Sequence, residues 1–214
     1  MRSLIIFDFD GVVLDSFKAI FEVLTELHKK YSLLDLDKDE FERLFEKDVW
    51  KKYGDLGIGN DRIDTFRNDF KRLFLEKKDE LWIFEGMREC ATALAQHAEL
   101  LIVSSNHSDT IKGMLRKEGL DTYFSKIIGG ESAGTKGEKL ATFFSEHVGA
   151  YNTLFFISDT TGDILSVSGM GIITIAVSWG YHSKDMLRAA KPDAIVDSPK
   201  ELEEYILSRV TQAS

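Results

Sequence analysis

The sequence predicts an α/β protein: a parallel sheet with helices on both faces, carrying an all-helical segment inserted near its start. Three observations in the 214 residues predict it. Short continuous apolar runs rich in β-branched residues recur along the chain, as strands buried on both faces require. Amphipathic segments of helical length separate them, and strands alternating with helices make a parallel sheet. Residues 16–84 break the alternation, because they show helical periodicity and no buried strand.

The first run, "SLIIF" at 3–7, is a strand that stops at Asp8 and Asp10. The insertion reads as three helices: "SFKAIFEVLTELHKKY", "DKDEFERLFEKDVWKKY" and "IDTFRNDFKRLFLEKK", the last two separated by a flexible turn at 54–60. A helix over 87–97 leads to a strand at 100–103, the helix "DTIKGMLRKEGL", a weaker strand at 126–128 and the helix "EKLATFFSEHVGA". A strand at 153–157, the helix "DILSVSGMG", a strand at 172–177 and a weaker one at 194–196 follow. The last helix has legible boundaries: Ser198 caps it, Pro199 takes its first position and Glu201 completes a capping box. The expected organisation is a core made of residues 1–15 and 85–214, with 16–84 as a small helical domain.

Composition limits the function. The chain carries 27 basic and 36 acidic residues, a formal charge of -9, so no broad basic footprint exists for nucleic acid or an anionic membrane. An anionic ligand would need a local attraction. The single cysteine, Cys90, cannot form a disulfide framework or a thiolate cage, which fits a reduced, cytoplasmic setting. The apolar start is too short for a signal peptide core, and no run reaches transmembrane length. The five histidines are scattered without metal-ligand spacing.

Chemistry enters at the strand ends, where α/β sheets bind ligands. Asp8 and Asp10 follow the first strand; Ser104, Ser105 and Asn106 follow the second; Lys136 follows the third; Asp159 and Asp163 follow the fourth. Each alone has an ordinary reading: a turn, a helix cap or a solvated lysine. Together they bring carboxylates, a hydroxyl and one ammonium to one edge of one sheet. Clustered carboxylates at neutral pH need raised pKa values or a bound cation, and an all-oxygen set with few side chains suits Mg²⁺ sharing its shell with a phosphate. An aspartate can then attack phosphorus in line, while a second one, two residues on, gives and takes the proton. Gly11 leaves the backbone free of a side chain where a phosphate would approach.

These residues resemble the haloacid dehalogenase superfamily, in its branch similar to phosphoglycolate phosphatases. The stretches that carry the resemblance are "FDFDGVVLDS", "IVSSN", Lys136 in "GTKGEK", "FFISDTTGDILSVSGMGIITIAVSWG" and the tail "WGYHSKDMLRAAKPDAIVDSPKEL". The resemblance implies a Rossmann-like core with a small helical cap, the latter matching only in kind. It implies Asp8 as nucleophile and Asp10 as acid and base, with Mg²⁺ held by the Asp8 carboxylate, the Asp10 carbonyl and Asp159, and Asp163 behind them. Ser105 and Lys136 would hold the phosphoryl oxygens beside Asn106 and Gly11; Ser104 is the competing register, and Ser105 is preferred because the family usually places Asn next. Gly137 and Ser158 stand where proline and glycine are common, and the proline often found before Gly86 is absent. The implied activity is Mg²⁺-dependent hydrolysis of a small phosphorylated metabolite, phosphoglycolate first, by a monomer or homodimer. A phosphomutase of the same fold is the alternative. The superfamily's metal-free dehalogenases usually lack the second aspartate, so Asp10 argues against them. A receiver domain, shorter and phosphorylated after a later strand, is a further rival, as is a non-catalytic phosphate-binding protein.

Overall fold

The protein is described by a computed structural model over residues 2–210; residue 1 and residues 211–214, the extreme ends of the expected core segments, lie outside the described residues. Six strands form one sheet: β1 (Arg2–Phe7), β4 (Glu99–Val103), β5 (Phe124–Ile128), β6 (Tyr151–Ser158), β7 (Ile173–Val177) and β8 (Ala194–Val196). Their order is β5-β4-β1-β6-β7-β8, and every pairing is parallel. Taken in sequence, the strands stand 3-2-1-4-5-6, the Rossmann arrangement, whose direction of progression reverses between β1 and β6. All six coincide with the apolar runs.

Alternation along the strands creates two cores. Ile5, Phe7, Leu100, Ile102, Phe155 and Ile157 face one way, into a cluster shared with α5 (Met87–Ala95), α6 (Ser108–Lys117) and α10 (Pro199–Val210). Leu4, Ile6, Leu101, Val103 and Phe156 face the other, against α7 (Lys136–Glu146), α8 (Thr161–Ser166) and α9 (Lys184–Ala189). The short α9 has no counterpart in the apolar periodicity. At α10, Ser198 Oγ accepts from the Glu201 amide, as expected, but the Glu201 carboxylate reaches the Asp197 amide.

Residues 16–84 hold four α-helices rather than three, α1 (Phe17–Lys30), α2 (Lys38–Leu44), α3 (Val49–Asp55) and α4 (Asn60–Glu76), followed by a 3-10 turn at Lys78–Glu80. The predicted middle helix is split because Asp48 caps a new one, its carboxylate accepting from the Lys51 amide at 2.9 Å. Two short strands, β2 (Leu14–Asp15) and β3 (Trp82–Ile83), pair antiparallel where the chain enters and leaves this segment. At two residues each, they are below the length at which alternation can be read. The cluster on the first face of the sheet runs on into these helices through Leu24, Phe41, Phe66 and Phe74. Tyr181, from the sheet's edge loops, packs edge-on against Phe17, Phe41 and Phe45.

Candidate active site

Asp8 extends β1 by one residue, its amide donating to the Ile157 carbonyl of β6 at 2.9 Å. The chain then turns tightly, with the amides of Val13 and Leu14 both donating to the Phe9 carbonyl. Gly11 takes φ of +75°, a left-handed conformation that a side chain disfavours. A Cβ there would collide with the Asp159 carboxylate, so the glycine admits Asp159 into the cluster. This reason differs from the approach of a phosphate to the Gly11 backbone; the Gly11 amide already donates to Leu14. Asp159 follows the neighbouring strand β6, so the two carboxylates meet at the reversal point of the sheet.

Lys136 enters from the first position of α7, held there by a capping box between Thr135 and Glu138. Its buried ammonium lies 2.5 Å from Asp8 Oδ2 and 2.8 Å from Asp163 Oδ2. Asp163 Oδ2 also accepts from Thr160 Oγ1 at 2.8 Å, and Ser158 Oγ stands 3.4 Å from both Asp8 Oδ2 and Asp163 Oδ2. Asp8 Oδ1 accepts from the Phe9 amide. Asp10, two residues on, is approached by Asn106 Nδ2 at 3.5 Å.

Several contributors are not singled out by the sequence. Ser158 looked like a departure from a glycine, yet its hydroxyl sits inside the cluster. Lys139 is buried, and its ammonium donates to the carbonyls of Ser104 at 2.9 Å and Gly129 at 2.8 Å, fixing the loop after β4. Its spacing from Lys136 was the available hint: three residues apart on a helix, the two share a face. Of the two candidate hydroxyls, Ser104 is buried and accepts from the Asn106 amide at 3.0 Å, whereas the preferred Ser105 is exposed. Both border the same cavity as Asp8, Asp10, Asn106, Lys136, Asp159 and Asp163.

The electrostatics follow from burial. Burial pushes Asp8 well above the usual carboxylate range, against the pull of Lys136, and raises Asp10 against hydrogen bonds from Ser16 and Asn106. Asp159 is pushed up to about 7, chiefly by burial, despite the Tyr181 amide that donates to it at 2.7 Å. Burial works on Asp163 too, but the charge and hydrogen bond of Lys136 hold it below its ordinary value. Burial likewise opposes the charge on Lys136, and Asp163 and Asp8 override it, leaving the lysine protonated far into alkaline solution. Four carboxylates thus share one ammonium, and the deficit of positive charge falls on Asp8, Asp10 and Asp159.

That deficit is the test for a cation. Asp10 Oδ1 and Asp159 Oδ1 are buried without a hydrogen-bond partner among the described residues. Carboxylate oxygens are acceptors only, and buried ones left unmatched are costly, so a hard divalent cation suits them. Among the described residues no three His, Cys, Asp or Glu side chains form a ready-made cage. A cation here would complete its shell with carbonyl, water and substrate oxygen, as Mg²⁺ does. Asp163 is less suited to ligation, since its Oδ2 already accepts from Lys136 and Thr160.

The cluster opens into a cavity of about 550 Å³ between the sheet edge and the inserted helices. His182, buried behind it, joins the two: Thr161 N–H donates to Nδ1 at 3.0 Å, so the ring is neutral there, and Nε2 donates to the Glu42 carbonyl of α2 at 2.8 Å. Gly162, in the first turn of α8, lies so close to the backbone of Phe45 and Glu46 that a Cβ would meet their carbonyls at 2.9 Å.

A family model described as haloacid dehalogenase-like hydrolase matches residues 5–177. A phosphoglycolate phosphatase of Synechococcus elongatus is 24% identical over 209 residues, covering 97% of each chain. Among solved structures, a haloacid dehalogenase-like family hydrolase from Streptococcus pneumoniae superposes with a TM-score of 0.80 at 21% identity, over 96% of this chain and 98% of that one. A "predicted phosphatase" from Clostridium acetobutylicum gives 0.84 at 19% identity, over 97% and 99%.

Proposed function

The chain belongs to the haloacid dehalogenase-like hydrolases, and we propose that it is a phosphatase that hydrolyses a small phosphorylated metabolite in the presence of Mg²⁺, through a phosphoryl group carried on Asp8. The observation that carries the reading is the group formed by buried Asp8, Lys136 and Asp159 with the partly buried Asp163 at the sheet's reversal point, Asp10 lying two residues from Asp8.

In this reading Asp8 and Asp159, with the Asp10 carbonyl, hold the cation. Bound there, Mg²⁺ would neutralise the carboxylates and the phosphoryl oxygens and favour ionised Asp8. Lys136, fixed by Asp163, offers its remaining hydrogen-bonding capacity to a phosphoryl oxygen, and the hydroxyl is Ser104, the enclosed one of the pair, in place of Ser105. Asp8 attacks phosphorus as the ester P–O bond breaks, and Asp10 gives its proton to the leaving oxygen. Burial raises Asp10, which favours its protonated form over that of an exposed carboxylate. Water then attacks phosphorus, its proton passes to Asp10, and the bond to Asp8 breaks to release phosphate. The inserted helices cover the site and exclude bulk water.

The sequence holds no basic surface that would favour nucleic acid, and no helix among the described residues is long and apolar enough to cross a membrane. A cytoplasmic enzyme for a soluble metabolite is consistent with both. Phosphate release from a panel of phosphomonoesters with Mg²⁺ tests the reading. Asp8→Asn should lower kcat by at least about 10⁴-fold on every substrate with the fold retained. Undiminished release by that variant, or in excess chelator, contradicts the reading. Assaying an isomerised product in the same reactions separates hydrolysis from phosphomutase action.

A further inference from the structure

The cavity has two chemically distinct parts. At the sheet edge its lining is Asp8, Asp10, Ser104, Lys136 and Asp159, the polar set already described. The inserted helices contribute Leu24, Trp50, Phe70 and Phe74. Leu24 and Phe74 are buried; Trp50 and Phe70 are half-buried and meet edge to face, with centroids 5.6 Å apart and an interplanar angle of 80°. Phe70 and Phe74 lie parallel, 5.8 Å apart. The Arg67 guanidinium sits 5.3 Å from the Trp50 ring centroid and orients it. The cations contributed by this side, Lys47, Arg67 and Lys71, are all exposed, so they stand at the rim. Lys47 and Lys71 form no ion pair with the described residues.

On the reading that Asp8 receives a phosphoryl group, we infer that the leaving group carries a flat aromatic or heteroaromatic ring, seated against Trp50 and Phe70, with buried Phe74 stacked behind Phe70. A volume of about 550 Å³ far exceeds what a two-carbon acid fills, and it falls in the ~300–1,000 Å³ range of pockets that enclose larger small-molecule ligands. A small acid would leave the aromatic wall facing trapped water. A sugar would set several hydroxyls against a wall whose conventional hydrogen-bonding capacity is limited to the Trp50 indole N–H. A planar ring meets the wall by stacking and by removing apolar surface from water, and the rim lysines match a further anionic or polar substituent on it.

The experiment compares, with Mg²⁺, acetyl phosphate, phosphoglycolate, glycerol phosphate, glucose 6-phosphate, 2-naphthyl phosphate and a nucleoside 5′-monophosphate. The ring-bearing esters should exceed phosphoglycolate in kcat/KM by about tenfold or more, and Trp50→Ala should lower the ratio of ring ester to phosphoglycolate by about tenfold. Calorimetry with the inert Asp8→Asn protein reads the same preference as binding, independent of turnover. Phosphoglycolate or a sugar phosphate used best, or a ratio unmoved by Trp50→Ala, overturns the inference while leaving the phosphatase reading intact. No release from any compound, acetyl phosphate included, removes the phosphatase reading itself; ring binding to Asp8→Asn then decides the inference alone.

Discussion

The sheet edge and the inserted helices make opposite use of burial. At the edge, polar groups are taken out of water and matched to one another: Lys136 to Asp8 and Asp163, Lys139 to two carbonyls, the Asp159 carboxylate to the Tyr181 amide. In the insertion, the cavity wall is apolar and the cations remain in solvent. Desolvated charges act strongly on a reacting group, and apolar surface discriminates among leaving groups by shape. Chemistry and selection are therefore separable, and substitutions in each region should fail differently.

Lys136→Met gives the largest separation. It removes the one ammonium that Asp8 and Asp163 share, so kcat should fall by about 10²–10³-fold on every substrate alike. Unfolding should become easier by about 3–5 kcal/mol at neutral pH, since one partner of a buried pair is removed. Steady-state kinetics on two leaving groups checks it; a change in substrate preference would break the separation.

His182→Ala acts at the joint. The Thr161 amide and the Glu42 carbonyl lose their partners, which should cost roughly 2 kcal/mol in urea unfolding. The loss in kcat should be smaller than for Lys136→Met, with KM rising because the insertion sits less firmly over the cavity. An unchanged KM would show that the joint is structural only.

The edge should also show a slope of stability with pH. In metal-free protein Asp159 titrates near 7 folded and near 3.8 unfolded. Between those values the folded state binds the extra proton, so this carboxylate lowers stability progressively as pH rises from about 4 to about 7. Asp8 and Asp10, also raised, act in the same direction. Thermal melts of wild type and Asp159→Asn across this window should show the steeper decline in wild type, and Mg²⁺ should stabilise wild type more at pH 7 than at pH 5. Parallel curves would mean that the edge carries no charge deficit.

How much was legible depended on range. The strands could be read because burial on both faces leaves an uninterrupted apolar run, as in "LIIF" and "LFFI". Asp8, Asp10, Lys136, Asp159 and Asp163 could be singled out because each directly follows a strand or opens a helix, a local property. The roles of Ser158, Lys139 and His182 depend on partners elsewhere in the chain, as the His182 contact with Glu42 shows, and apart from the spacing of Lys139 from Lys136 no local pattern points to them. The choice between Ser104 and Ser105 was of the same kind, since only the packed loop decides which hydroxyl is enclosed. The break between α2 and α3 was missed because the apolar periodicity continues across the Asp48 cap.

The central claim concerns one atom group, the Asp8 carboxylate. Quenching the protein during turnover with acid, reducing any acyl phosphate with borohydride and mapping the peptides by mass tests it most directly. Homoserine at position 8, appearing only with substrate and Mg²⁺, is the expected result. Reduction at Asp10, Asp159 or Asp163 instead, or no reduced residue in a protein that is releasing phosphate, would contradict it.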